Sequence, residues 1–255
     1  MLCRLENNAL TGVAVVSLDD VANQNALSER LVRDLELLLQ TCEAESATKV
    51  IVLRANGSMF SVGGNIKQFA QAYDEGTLHS MISSNIGHFN SVVSRLLSLR
   101  KVTVAALHGA VAGAGLSLAA ACDIRLCAPD TRFVGGFLGV GLPPDTSAGW
   151  LLTRLVGVDR AKEFFLTNRV LRADEALSWG LVHAIETDVW QAAGSLAEQL
   201  ARGPVRAYAR SKELMSLATT ASLEQFREHE TKLVLESVDD QEFIDRILSF
   251  RDSLG

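Results

Sequence analysis

An α/β fold with largely parallel strands is the class this sequence predicts. Three observations carry it. Short β-branched runs alternate with amphipathic stretches at helical spacing. Hydrophobic residues make up 48% of the 255, enough for a sizeable core in one large domain, or in a core domain plus a smaller piece. From about residue 187 onward the strand signals stop and helical patterns follow one another.

Taken in order, "GVAVVSL" (12–18) reads as a strand by its β-branched content. "NALSERLVRDLELLLQTCEAE" reads as a helix, with Ser28 as its cap and Leu31, Leu35, Leu38 and Leu39 at helical spacing. "KVIVLRA" (49–55), bounded by Asn-Gly, is a buried strand. "NIKQFAQAYDE" and most of 78–99 are helical, "VTVAALHG" (102–109) is another buried strand, and "GLSLAAACD" is a helix. "IRLCAP" and "LVHAI" are short strands. The four terminal stretches, beginning at "VWQAAGSLAEQLAR" and ending at "DDQEFIDRILSFRDSL", are helices. The expected division is an α/β core over 1–190 and a helical region over 191–255, packed on the core or on a neighbouring subunit. No Pro-, Gly- or Ser-rich linker, low-complexity segment or internal repeat interrupts it.

A formal net charge of −6, with scattered basic residues, argues against a nucleic-acid surface. Cys3, Cys42, Cys122 and Cys127 form no C-x-x-C pair and have no histidine at zinc-ligand spacing, so they read as reduced thiols and no metal is expected. The start, "MLCRLENNALTG", does not resemble a signal peptide, and no apolar run approaches the length of a membrane span. A cytoplasmic protein is expected.

Two glycine-rich turns, "FSVGGNIKQF" (60–69) and "HGAVAGAGLSLA" (108–119), each follow a buried strand and lead into a helix. Small residues let a backbone approach a ligand closely, and helix starts present unpaired N–H groups. Two such turns can aim two donors at one oxygen, the geometry of an oxyanion hole. The plainer alternative is that glycines fit tight corners. The second turn fits neither a dinucleotide nor a P-loop spacing. In "GLPPDTSAGW" (141–150) a lone acid, Asp145, precedes a helical run. It caps that helix or it works as an acid in a mostly apolar surround.

The chain resembles the crotonase superfamily, also called the enoyl-CoA hydratase/isomerase family. The resemblance is carried by "NAL" at 25–27, "FSVGGNIK", "AALHGAVAGAGLSLAAACDIRLCAPDTRF", "GLPPDTSAGWLLTRLVG" and "EALSWGLVHAI", together spanning nearly the whole sequence. It implies a spiral of ββα units with a helical C-terminal part that trimerises, assembled as a homotrimer or hexamer. It implies binding of an acyl-CoA thioester, with coenzyme A arriving as part of the substrate and no separate cofactor. The thioester oxygen would accept hydrogen bonds from the N–H groups of Gly64 and Ala114, and Ala114 stands where the family usually has glycine. The ligand would lie against Ala26, Ser61, Gly63, Asn65, Ile66 and Phe137. The chain departs from the family pattern at Asn65, usually Asp, at His108, usually Asn, and at Gln24, often basic.

Hydratases of this family use two glutamates, and the matching positions here are Ser117 and Phe137, so ordinary hydration is not expected. Some relatives lack both and carry an acid at the Asp145 position. Enoyl-CoA isomerases of this kind also carry an aromatic residue at position 137. The 4-chlorobenzoyl-CoA dehalogenases use the aspartate as a nucleophile with a catalytic histidine, where this chain has Asn90, and His88 two residues away. The expected activity is therefore a shift of the double bond of a 3-enoyl-CoA to the 2-enoyl-CoA through Asp145. Dehalogenase-like attack by Asp145 and non-catalytic thioester binding are the alternatives. Leu138, Phe137 and Trp150 are the expected apolar surround of the acid. His108, His88, His229 and Lys67 read as structural or solvated residues, and Phe226, Phe243 and Phe250 as core or subunit contacts.

Overall fold

The computed structural model describes residues 1–253. An antiparallel hairpin opens the chain, β1 (Cys3–Asn8) with β2 (Val13–Leu18). Helix α1 (Glu29–Ala44) follows, its first turn closed by the Ser28 hydroxyl, which accepts the Leu31 N–H at 3.3 Å. Its buried face is Leu31, Leu35, Leu38 and Leu39, as the spacing predicts. Next come β3 (Val50–Ala55), α2 (Ile66–Asp74), α3 (Leu78–Ser98) and β4 (Val102–Leu107). Strand β4 is buried at all six positions, which explains why it is apolar but for Thr103, whose hydroxyl donates to Asp123 at 2.8 Å, rather than alternating.

The middle of the chain contains β5 (Ala110–Ala112), α4 (Ala114–Ala120), β6 (Ile124–Cys127), β7 (Arg132–Val134), α5 (Ala148–Val156), α6 (Val158–Thr167), β8 (Val170–Arg172), α7 (Ala173–Trp179) and β9 (Ala184–Ile185). The helical end is α8 (Val189–Ala201), α9 (Val205–Leu217), α10 (Leu223–Val238) and α11 (Gln241–Asp252).

Two sheets result. One has the order β1-β2-β3-β4-β6-β9 and the other β5-β7-β8. Strands β2, β3, β4, β6 and β9 run parallel, as the α/β pattern requires. In the middle of the chain two successive units each put a strand into the first sheet, a short strand into the second, and then a helix. Strands β4 and β5 lead to α4, and β6 and β7 to α5. After β3, Ser61 makes a single parallel bridge to Val111 of β5 before α2 starts. This is the spiral of ββα units that the resemblance implies. Its short strands of three residues are too brief to show a period of two, which is why periodicity does not reveal them.

The main core lies between α1, α3, α4 and the two sheets, with Phe60, Phe133 and Phe164 fully buried. Truncating any of these rings to alanine costs about 3–5 kcal/mol. The expected boundary at 190/191 falls inside α8, which belongs with the core. Its Val189, Ala193, Ala197 and Ala201 form a buried stripe packed with Val52 and Val104 of the first sheet. All four cysteines are free and buried, and burial pushes the Cys3 and Cys122 thiols up to about 12.

Candidate active site

The two glycine turns meet back to back. Gly63 has φ +84°, and a Cβ there would lie 2.8 Å from the Ala112 carbonyl oxygen, so only glycine lets the first turn approach the second. Gly113 sits at φ 52°, ψ −126°, a region closed to other residues, and turns β5 into α4. Gly64 lies just ahead of α2, and Ala114 is the first residue of α4. Among the described residues neither N–H donates to a protein acceptor. Both residues line the same cavity, of about 170 Å³.

The cavity is mostly apolar. Leu27, Phe69, Ile82, Phe89, Phe137 and Leu142 contribute to its walls, and Asp145 is the one carboxylate in its lining. Burial pushes the Asp145 carboxyl above its ordinary value, and the Thr146 hydroxyl opposes that rise. The loop that carries Asp145 is strained. Thr146 and Ser147 both sit at positive φ, +50° and +67°, and the first is β-branched. The strain is held by a buried hydrogen bond of 3.0 Å between the hydroxyls of Thr146 and Ser117.

Asp145 does not cap α5 with its side chain. Ser147 is the cap residue, and the Asp145 backbone carbonyl accepts the Ala148 N–H at 2.8 Å. The carboxylate is thereby left to the cavity. Ser117 is wholly buried and Phe137 is 6% exposed, its ring tilted against Phe165 at 6.2 Å.

Of the residues expected to touch ligand, Ile66 and Phe137 line the cavity with Asp145, Gly64 and Ala114. Ala26, Ser61, Gly63 and Asn65 are not in its lining. The Ser61 hydroxyl donates to the Asn25 carbonyl at 2.7 Å and accepts the Gly63 N–H at 3.2 Å. The Gly63 carbonyl accepts the Leu27 N–H at 2.8 Å, which ties the "NAL" segment to the first turn. Asn65 caps α2 through the Gln68 N–H at 3.2 Å.

The expected surround of the acid needs correction at two of three residues. Phe137 is part of it, but Leu138, partly buried against the core, is absent from the cavity lining, and Trp150 is 47% exposed, with the Arg154 guanidinium 3.7 Å from its ring centroid. Trp150 lies on the outer face of α5 because Leu151 and Leu152 take the inner one. The residues that replace them come from α3. Ile82, Asn85, Ile86 and Phe89 face the cavity at i, i+3, i+4 and i+7, a stripe whose spacing was the available signal for them. Asn90 is exposed. His88 turns toward α1, its Nε2 3.3 Å from Arg33 and 3.9 Å from Glu29, and no histidine lines the cavity. His108 bonds the Gly57 carbonyl at 3.0 Å and His229 pairs with Glu213 at 2.6 Å.

A family model for enoyl-CoA hydratase/isomerase matches residues 8–252. The chain belongs to the enoyl-CoA hydratase/isomerase family. Within this family it is 31% identical over 242 residues to the 4-chlorobenzoyl coenzyme A dehalogenase-2 of an Arthrobacter species, covering 94% of this chain and 87% of the relative. It is 28% identical over 229 residues to the trans-2-decenoyl acyl-carrier-protein isomerase of Streptococcus mutans, covering 89% of this chain and 86% of the relative. Among solved structures, a Mycobacterium abscessus protein assigned as an enoyl-CoA hydratase/isomerase superposes with a TM-score of 0.93 at 30% identity, over 98% of this chain and 96% of its own. The family acts on acyl-CoA thioesters, and its relatives of different chemistry share this fold, so the side chains in the cavity decide the reaction. No helix among the described residues is long and apolar enough to cross a membrane.

Proposed function

We propose that this protein moves the double bond of a 3-enoyl-CoA to give the 2-enoyl-CoA, with Asp145 as its single acid–base group. One observation carries the reading: Asp145 is the sole titratable side chain in the cavity lining that also holds Gly64 and Ala114. The thioester carbonyl accepts hydrogen bonds from those two N–H groups, and coenzyme A enters only as part of the substrate. Asp145 takes the α-proton, whose acidity comes from both the thioester and the neighbouring double bond. The electron pair moves onto the thioester oxygen as a dienolate. The protonated Asp145 then delivers the same proton to the γ-carbon, and the double bond comes to rest in conjugation. A positioned acid–base group contributes roughly 10²–10⁴ in rate and each oxyanion donor about 10²–10³.

Hydration finds no support in the cavity. It needs one group to activate water and another to protonate carbon, and the two positions that supply them in hydratases are a hydroxyl bonded to Thr146 and a phenyl ring. Ala26, Ser61, Gly63 and Asn65 serve by holding the turn that carries Gly64. Assembly through the helical end is part of this reading. The last helix leaves Phe243, Ile244, Ile247 and Phe250 exposed, an apolar face suited to further copies of the chain. The test is an activity screen over 3-enoyl, 2-enoyl and aryl thioesters. Turnover confined to the 3-enoyl class supports the reading, and water addition to the 2-enoyl class overturns it.

Similarity to the Arthrobacter dehalogenase favours a second reading, in which the Asp145 carboxylate attacks the chlorine-bearing ring carbon of a chloroaryl-CoA, chloride leaves, and water hydrolyses the aryl ester to give the hydroxyaryl-CoA and the free carboxylate. The missing histidine in the cavity counts against it. A mass increase on Asp145 after incubation with a chloroaryl-CoA is its signature.

A further inference from the structure

The cavity has an open rim and a closed inner end. Ile66 and Val140 line it and are 52% and 49% exposed, so they belong to the rim. Leu27, Val32 and Phe89 line it too, but they are buried, and the little surface they keep faces the hollow. Helix α3 gives the direction of depth. On its cavity face Ile82 and Ile86 are half-buried, and Phe89, the last of the stripe, is 3% exposed. Val32 of α1 and Phe89 are both members of the main core, so packed side chains rather than solvent lie behind them.

Coenzyme A is far too large for this hollow, so the acyl group alone passes the rim and its far end points toward the buried residues. We infer that Phe89 is a specificity-determining residue, its ring closing the inner end of the cavity and limiting the substrate to an apolar acyl group of about six carbons or a single ring. A dry cavity of roughly 150 Å³ holds benzene, and this one is about 170 Å³. A longer tail finds no apolar way round the ring. Asn85, on the same face of α3, is shared with a neighbouring cleft lined by Arg30, Arg33, Gln68 and Gln71, where a hydrocarbon gains nothing and strips water from polar groups. Pushing the tail past Phe89 means overpacking the core, which is itself costly.

This inference rests on the reading that the cavity takes the acyl part of a CoA thioester, but it does not need the double-bond shift. Its test therefore uses saturated straight-chain thioesters, which have no double bond to move. Butanoyl-, hexanoyl- and octanoyl-CoA are titrated calorimetrically into the wild type, Phe89→Ala, Phe89→Leu and Ile66→Ala. In the wild type hexanoyl-CoA is expected to bind about tenfold tighter than butanoyl-CoA, since each buried methylene is worth about fourfold. Octanoyl-CoA should then bind no tighter than hexanoyl-CoA. Truncating the ring leaves a space that collapses only in part, so in Phe89→Ala the octanoyl-to-hexanoyl ratio should rise to about tenfold. Phe89→Leu disturbs the core less and should raise the ratio by a smaller step, which decides the matter if the alanine variant does not fold. Ile66→Ala, at the rim, should leave the ratio at about one.

A tenfold gain from hexanoyl- to octanoyl-CoA in the wild type overturns the inference. So does a ratio that stays at one in the folded Phe89 variants, or one that rises as much in Ile66→Ala. If no 3-enoyl thioester is isomerised but the length limit moves with Phe89, the isomerase reading fails and the role of Phe89 stands. If 3-enoyl thioesters are isomerised but the limit ignores Phe89, the isomerase reading stands and the role of Phe89 fails.

Discussion

The hydroxyls of Ser117 and Thr146 are joined by a hydrogen bond of 3.0 Å that is buried between α4 and the strained loop before α5. Ser117, the position that the family resemblance matches to a hydratase glutamate, is bonded here to the residue next to Asp145. The Thr146 hydroxyl also opposes the rise of the Asp145 pKa caused by burial.

Thr146→Val removes both effects. A base works only when ionised, so the rate falls as pH drops through its pKa. Without the opposing hydroxyl the Asp145 pKa rises further, and the acid limb of kcat/KM is expected to move to higher pH. Thr146→Ser keeps the hydroxyl and should leave the limb in place. A pH–rate series over the two variants checks this.

Asp145→Asn should stabilise the protein at neutral pH while damaging activity. Burial raises the folded-state pKa of Asp145, so the folded protein holds this proton more readily than the unfolded chain. The contribution of Asp145 to stability is present below the ordinary carboxylate pKa and is lost as pH rises through the raised value. The variant has no such loss. Its Tm should exceed that of the wild type at pH 7, with the gap closing toward pH 3, as thermal melts at both values will read.

Gly115→Ala tests the seam between the two glycine turns. A Cβ there would lie 2.7 Å from the Ser61 Cβ, and both residues are buried. Overpacking of this kind costs about 1–3 kcal/mol. Urea unfolding should show a loss in that range, together with weaker thioester binding as Ser61 shifts and releases the Gly63 turn.

Ala114→Gly removes a methyl group from the cavity wall and keeps the N–H that the oxyanion needs. Branched or longer acyl groups should gain in kcat/KM, while the shortest substrate changes little. A comparison across chain lengths reads this directly.

The parts of the fold legible in the sequence are those with a repeated signal. Leu31, Leu35, Leu38 and Leu39 mark α1 by spacing, and the β4 run marks a strand buried on both faces. The short strands β5, β7 and β8 are set by pairing with each other, which no local pattern records. At the site, the two glycine turns and the lone Asp145 are local signals, while Gly64 and Ala114 are singled out within those turns by the family resemblance. Thr146 is not legible, since its role comes from a left-handed backbone that only the assembled cavity reveals. The misplacement of Trp150 has the same origin. An aromatic residue near an acid in sequence lies on the outer face of its helix once Leu151 and Leu152 take the inner one.

In the proposed reaction one carboxylate, Asp145, moves one proton across three carbons. The most direct measurement follows a 3-enoyl-CoA by its conversion to the conjugated 2-enoyl-CoA, with the wild type and Asp145→Asn side by side and thioester affinity measured on both. The variant is expected to lose roughly 10²–10⁴ in rate, with affinity nearly intact. Equal turnover by the two proteins would contradict it.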